Sequence, residues 1–387
     1  MDAAAERWWA MRIGFDATPL LHGERAVRRN SRNLLKALTE IEDVDWRALY
    51  FDRKGDTPGR LGIADEKLCR LPMSLLMPAW KSLNWPKLET IAGHDMNLFY
   101  APDLSFPPAK HTKVLTTIRG VAYLAIPELC APEKVSSLAH AFKYAEKHAD
   151  YFLAVSESTR QDMLQYTDIP AERIFVSSHG VDSQFYPVEK MKARDDVKKR
   201  YGVERPFFLF VGAISMHKNV SLLVNALHQS PALRGVDLVL AGPHEQPFTT
   251  TLRVSIEKAG LSKRIHLIGA VGQENNELPK LYSAATALLF PTFYEGWCAP
   301  PLEAMACGTP VISTQIPSVQ EVVGDAAVLL PVDDVDAWSM QMIKVVEDAE
   351  WHALLVQRGL EHVKQHAWNS SASRLFEIMK EIIGREK

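Results

Sequence analysis

Two consecutive α/β domains, each a parallel sheet covered by helices on both faces, are the fold class this sequence predicts. Three observations carry the prediction. The chain has 387 residues, more than one hydrophobic core ordinarily serves. Short β-branched or aromatic runs alternate with longer helical stretches along its whole length. That alternation stops at a polar stretch near the middle and then restarts. Continuous apolar strands separated by helices mark parallel sheets buried on both sides.

In the first half, strands are expected at 12–17 (RIGFDA), 46–51 (WRALYF), 97–102 (NLFYAP), 113–118 (KVLTTI), 151–156 (YFLAVS) and 173–178 (RIFVSS). Helical patterns such as RNSRNLLKALTEI and VSSLAHAFKYAEKHA lie between them. The second half expects strands at 206–213, 236–242, 264–270, 286–291, 310–314 and 326–331. The break is placed in PVEKMKARDDVKKRYGVERP, between Pro187 and Pro206, read as a solvated linker and helix in preference to a nucleic-acid-binding segment. This gives Rossmann-like domains at 1–190 and 191–367, with 368–387 joining the first. In doubly wound sheets ligands bind at the carboxyl ends of the strands, so a central cleft between the two domains is the expected site.

Bulk composition excludes several function classes. Hydrophobic content of 47% with 24% charge is that of a globular chain, neither disordered nor fibrous. A net charge of -3 argues against a nucleic-acid partner. Four scattered cysteines without a CxxC pair suggest neither disulfides nor zinc, which fits a reducing cytoplasm. No apolar run is long enough to span a bilayer. The opening MDAAAERWWAM lacks a basic start and a long apolar run, so no signal peptide is expected, and Met11 is an alternative start. Trp8 and Trp9 are read as N-terminal packing rather than a lipid contact. Thirteen histidines show no HExxH-type spacing, and Asp334, in PVDDVDAW, reads as a helix N-cap, so no metal is expected.

The stretch FPTFYEGWCAPPLEAMACGTPVI (290–312) holds the densest chemistry. Glu295 and Glu303 are its only charges. Prolines followed by LEAMA, with Gly308 at the C-terminal cap position, predict a helix between two strands. Glu303 is then expected in the first helical turn and Glu295 in the loop leaving the strand. Amides at a helix N-terminus suit an anion, and carboxylates accept from sugar hydroxyls. One segment could hold both halves of a sugar nucleotide.

The segment resembles the glutamate–seven residues–glutamate motif of retaining glycosyltransferases with the GT-B fold, family four, and its mannosyltransferase-like branch. Further similar pieces span most of the chain: MRIGFDATPLL, LAVSESTRQDML, VSSHGVDSQFYP, FLFVGAISMHKNVSLLVNAL, LAGP and SVQEVVGDAAVLL. The resemblance implies that Glu303 binds the donor ribose and Glu295 the transferred sugar. It implies that Lys218 neutralises the departing diphosphate beside His217 and Gly212. The backbone of Gly296, Trp297, Cys298 and Ala299 would support sugar and phosphate, and Gly269, Ala270 and Val271 would meet the base. It also implies metal independence, no cofactor beyond the nucleotide sugar, and a last helix returning to the first domain.

Departures from the family concentrate in the first domain. A glycine-rich turn after the first strand is replaced by RAVRRN, with Ala26 and Arg28 where glycines are usual. Arg119 and Gly120 replace a His-Asp pair, Cys298 replaces a glycine, and His217 precedes the lysine in place of arginine. Arg25, Arg28, Arg29, Arg119 and Tyr123 are therefore the expected acceptor-side residues, Arg119 also as a catalytic candidate with Glu295 and Lys218. His179 is read equally as a cleft residue or as packing. The implied activity is transfer from GDP-mannose, or secondarily UDP-glucose, to a glycan or lipid-linked acceptor in bacterial polysaccharide assembly at the inner membrane face. The alternative is a catalytically silent nucleotide-binding or complex-forming relative. MPAWKSLNWPKLE (77–89) reads as tryptophan packing or peripheral membrane contact, and the oligomeric state is left open.

Overall fold

The computed structural model describes residues 11–22, 25–53, 61–63, 65–93, 95–272 and 276–385, apart from the side chains of Arg25 and Ala26. Trp8 and Trp9 lie outside the described residues. The chain forms two compact units, one of residues 1–125, 131–180 and 368–387, the other of 126–130 and 181–367. Their boundary falls between Gly180 and Val181, ten residues before the expected division between 190 and 191.

The first unit holds a seven-stranded sheet in the order β3-β2-β1-β4-β5-β6-β7. Its strands are β1 (Met11–Asp16), β2 (Val44–Phe51), β3 (Asp65–Cys69), β4 (Leu98–Ala101), β5 (Lys113–Ile118), β6 (Tyr151–Ala154) and β7 (Ile174–Val176). Every pair is parallel. β4 and β5 are buried along their entire length, as a central parallel strand requires. β3 has no counterpart among the expected strands. Its sequence, DEKLC, is charged and half-buried because it forms the sheet edge, so it lacks the apolar run that marks the others.

One face of this sheet is covered by Leu34, Leu35 and Leu38 of the helix Arg25–Thr39 and by Leu375, Ile378, Met379 and Ile382 of the helix Trp368–Gly384. The last helix thus returns to the first unit. Lys113 Nζ donates to the Ile382 carbonyl (2.8 Å), and Arg385 donates to the Glu172 carbonyl (2.7 Å). The other face is covered by Leu76, Trp80, Phe142 and Met163. Each such side chain contributes roughly 1.5–3 kcal/mol by leaving water.

The second unit holds a six-stranded sheet in the order β10-β9-β8-β11-β12-β13. Its strands are β8 (Phe207–Val211), β9 (Asp237–Ala241), β10 (Ile265–Gly269), β11 (Ala287–Phe290), β12 (Val311–Thr314) and β13 (Val328–Leu330), again all parallel. The polar stretch before β8 is an ordered helix, Lys190–Tyr201, of this unit. Glu189 caps it by accepting from the Met191 and Lys192 amides, and Ala193 and Val197 are buried. The segments entering and leaving the unit meet where the Val181 amide donates to the His366 carbonyl (2.8 Å). Asp334 caps the helix Val335–Glu347 by accepting from the Ala337 amide (2.9 Å).

Candidate active site

In the second unit the strand order reverses between β8 and β11. Loops leaving the carboxyl ends of these neighbours run in opposite directions and open a crevice between them. Both catalytic candidates of this unit stand there. After β8 the chain turns through Met216–Lys218 and Asn219, whose left-handed φ of 54° is tolerated by an asparagine, into the helix Val220–His228. After β11 it passes through Glu295 to the helix Ala299–Ala306. The two loops are tied together: the Phe293 amide donates to the His217 carbonyl (2.9 Å), as does the Thr292 hydroxyl (3.3 Å). Thr314 Oγ1 donates to the Thr292 carbonyl (2.8 Å) and anchors the second loop to β12.

This bracing brings Lys218 Nζ onto Glu295 Oε1 as a hydrogen-bonded ion pair, with both side chains largely shielded from solvent. The ammonium also lies 5.6 Å from the centroid of the Phe290 ring, which adds a cation–π attraction. Within a partly desolvated crevice such a pair interacts more strongly than at the surface. His217 turns aside, its Nδ1 3.2 Å from the Ser215 hydroxyl.

Pro300 and Pro301 stand in the first turn of the helix Ala299–Ala306, as their place at its start predicts, but the helix already begins at Ala299, so Glu303 falls in the second turn and no acidic residue occupies the first. It is buried and accepts a hydrogen bond from the Tyr282 hydroxyl (2.8 Å). Nothing in the sequence around Tyr282 singles it out as the support of a glutamate. Gly296 and Cys298 are buried, Trp297 and Ala299 half-buried. Burial pushes the Cys298 thiol well above its ordinary range, so it stays protonated. The Trp297 ring packs 6.0 Å from that of His366.

The remaining donor-side candidates line the same sheet edge. The Gly212 amide donates to the Ala241 carbonyl (2.9 Å) and the Gly242 amide to the Gly269 carbonyl (2.8 Å), so the ends of β8, β9 and β10 are stitched in a row. Gly269 has φ of 73°, Ala270 is exposed and Val271 half-buried. Among the described residues no cluster of side chains could hold a metal ion.

The acceptor-side candidates belong to the first unit. Arg28 and Arg29 are half-buried near the start of the helix Arg25–Thr39; Arg25's side chain is outside the described residues. Arg119 follows β5 and donates from Nη2 to the Pro102 carbonyl (3.0 Å). His179 is buried, with Asn30 Nδ2 3.3 Å from its Nδ1 and its ring 5.6 Å from that of Trp368. Burial, helped by the Arg119 charge, lowers its pKa to about 3, so it is a packed neutral imidazole. Tyr123 stands in the core against Phe142, 6.2 Å between ring centroids. Asp16, at the end of β1, was not singled out from sequence. It is buried, accepts from the Thr18 amide (2.8 Å), and burial raises its pKa to about 7.

Comparison with known proteins converges on one family. The profile described as Glycosyl transferases group 1 matches residues 191–362, the unit that carries the lysine and both glutamates. The chain is 26% identical over 389 residues to O-antigen chain mannosyltransferase B of Escherichia coli, covering 96% of this chain and 100% of that relative. It is 30% identical over 255 residues to the serotype-specific mannosyltransferase WbdA of Escherichia coli, covering 62% of this chain and 31% of that longer protein. Among solved structures, HepE of Anabaena in complex with UDP-glucose matches with a TM-score of 0.73 at 18% identity, over 96% of this chain and 100% of that one. The unit that holds the lysine–glutamate crevice thus matches the group 1 glycosyl transferases over residues 191–362, and the chain as a whole, with its two all-parallel sheets and returning C-terminal helix, is similar in fold to GT-B glycosyltransferases.

Proposed function

We propose that this enzyme transfers a hexose from a nucleoside diphosphate sugar to a glycan or lipid-linked acceptor with retention of configuration and without a metal. The single observation that carries the reading is the Lys218–Glu295 pair at the β8/β11 switch point. Without donor, the lysine is neutralised by the glutamate. When a diphosphate enters, Lys218 exchanges the carboxylate for phosphate oxygens, and Glu295 is released to accept from hydroxyls of the sugar. As the glycosidic bond breaks, negative charge grows on the leaving diphosphate, where a fixed cation is most effective. Glu303, held by Tyr282, is the ribose ligand. Cys298, Gly296 and the neighbouring amides line the donor, and Gly269 to Val271 face the base.

GDP-mannose is the first choice of donor, in keeping with the mannosyltransferase names of its relatives, and UDP-glucose the second. Arg28, Arg29 and Arg119 are the acceptor-side cations, suited to an acidic group. The acceptor belongs to cell-surface polysaccharide assembly and is met at the inner face of the plasma membrane. Retention of Lys218, Glu295 and Glu303 together supports activity over the silent-relative alternative.

The test is calorimetric titration with GDP, UDP and ADP on the wild type and on Lys218→Ala. One nucleotide binds, and the variant weakens it by about tenfold or more, the scale of a charge-assisted hydrogen bond. No binding by any of the three would overturn the donor-site reading. Glu295→Ala is expected to abolish transfer while the chain stays folded, and full turnover would remove its role.

A further inference from the structure

The helix Glu277–Ala284 of the second unit opens on a carboxylate whose hydrogen-bond donors come from outside that helix. An acidic residue in a first turn ordinarily stays in water and complements the helix dipole. Glu277 is instead only 8% exposed. A buried carboxylate persists only where donors surround it. Here the Tyr201 hydroxyl and Arg200 Nε donate to Oε1 from the end of the helix Lys190–Tyr201. The Gly272 amide donates to Oε2 (3.2 Å). Burial, reinforced by the Glu277 carboxylate, pushes the Tyr201 hydroxyl up to about 12, so it remains a donor at neutral pH.

Gly272 follows Ala270 and Val271 where the chain leaves β10. The near side of this pair is anchored too, because the Gly269 carbonyl accepts from the Gly242 amide (2.8 Å). Ala270, exposed, and Val271, half-buried, are thus held between two fixed peptide groups. A further tie, from Asn276 Nδ2 to the Tyr186 hydroxyl (3.1 Å), steadies the residue beside Glu277. In the sheet order β10 stands two strands from β8. At a spacing of about 4.8 Å per strand, the pair lies about 10 Å from the turn that carries Lys218, within reach of a nucleoside whose diphosphate meets that lysine. Backbone that reads a ligand's edge is effective when it is held in place before the ligand arrives.

We infer that Glu277 is a positioning residue for recognition of the donor base, holding Ala270 and Val271 in place through the Gly272 amide. The inference rests on the donor-site reading, in which Gly269 to Val271 face the base, and adds a residue that sets base selectivity without touching the nucleotide.

Glu277→Gln separates this role from packing. Its carbonyl oxygen can still accept from Tyr201 and Arg200, which leaves its NH2 group against the Gly272 amide, donor to donor. The experiment is calorimetric titration of the full chain with GDP, UDP and ADP, with thermal unfolding of each variant. The wild type is expected to prefer one nucleotide. Glu277→Gln should weaken that one by about fivefold or more and the others less, so that the ratio of affinities narrows. Asp196→Asn removes the charge from the Lys280–Asp196 pair (2.7 Å), which joins the same two helices, and should keep the wild-type ratio. Should Glu277→Gln fail to fold, Tyr201→Phe, which withdraws one donor from the same carboxylate, should narrow the ratio in the same direction. An unchanged ratio in the folded variant would overturn the inference and leave the donor site standing. So would equal weakening of all three nucleotides, the same narrowing in Asp196→Asn, or a wild type that binds all three equally. A wild type that binds none of them overturns the donor-site reading, and this inference with it.

Discussion

Gly242 ends β9 directly beside Gly212 at the end of β8, and replacing it with alanine tests whether this close approach positions the donor site. A Cβ built at Gly242 lies 1.7 Å from the Gly212 carbonyl oxygen and 2.5 Å from its carbon, with φ at 157°. Both contacts are to backbone, so no rotamer change relieves them. Opening the first to 3.0 Å, the lower limit of real Cβ contacts, requires one strand end to move by about 1.3 Å. The strand end that moves carries either the turn to Lys218 or the link from the Gly242 amide to the Gly269 carbonyl. The expected loss of stability is roughly 3 kcal/mol or more, which lowers Tm by about 6–12 °C in a unit of this size. Nucleotide affinity should fall with it, because an ångström of misplacement at a catalytic group is costly. Gly235→Ala is the internal control: nothing lies within 4 Å of its Cβ position, and its effect should stay within about 1 kcal/mol. Thermal unfolding with nucleotide titration reads both quantities. A Gly242→Ala protein as stable as the control, with wild-type nucleotide affinity, would refute the reasoning.

Tyr282→Phe removes the hydroxyl donated to Glu303. It should cost about 1.5–3 kcal/mol, the scale for a hydrogen bond to a charged acceptor, and weaken nucleotide binding; unchanged urea unfolding would count against a formed bond. The pH dependence of the first unit should contain two opposed contributions. Asp16, raised to about 7 from 3.8, keeps a proton that the unfolded chain releases, so its contribution falls as pH rises from about 4 to 7. His179, lowered to about 3 from 6.5, refuses a proton that the unfolded chain binds, so its contribution rises over about 3 to 6.5. Relative to wild type, Asp16→Asn should therefore gain stability with pH across the first window, and His179→Gln should lose it across the second. Parallel stability profiles for wild type and both variants would show that neither pKa is displaced.

Much of the fold was legible in the sequence. A strand buried on both faces must be an unbroken apolar run, and FLFV, LVLA and ALLF announce β8, β9 and β11 without any partner. β3 escaped because an edge strand needs only one apolar face, and its charges read as loop. The helix after β11 was found from its prolines and Gly308, but its start was misplaced by the length that put Glu303 in the wrong turn. Capping by Asp334 depends on residues three apart and was visible locally.

The site divides in the same way. The sequence by itself determined which side chains are of a type to handle a sugar diphosphate, because lysine and paired carboxylates carry that chemistry wherever they stand. It also determined that each follows a strand, since strand and loop patterns are local. Only the tertiary structure decided that Lys218 meets Glu295, 77 residues away, and that Tyr282 supports Glu303. It alone separated Trp80 in the core from Trp85 in solvent, and placed Tyr123 among buried rings. The physical reason is that periodicity encodes the faces of one element, whereas these contacts depend on which strands become neighbours. That order is fixed by the packing of whole helices across the sheet, to which no short stretch of chain has access.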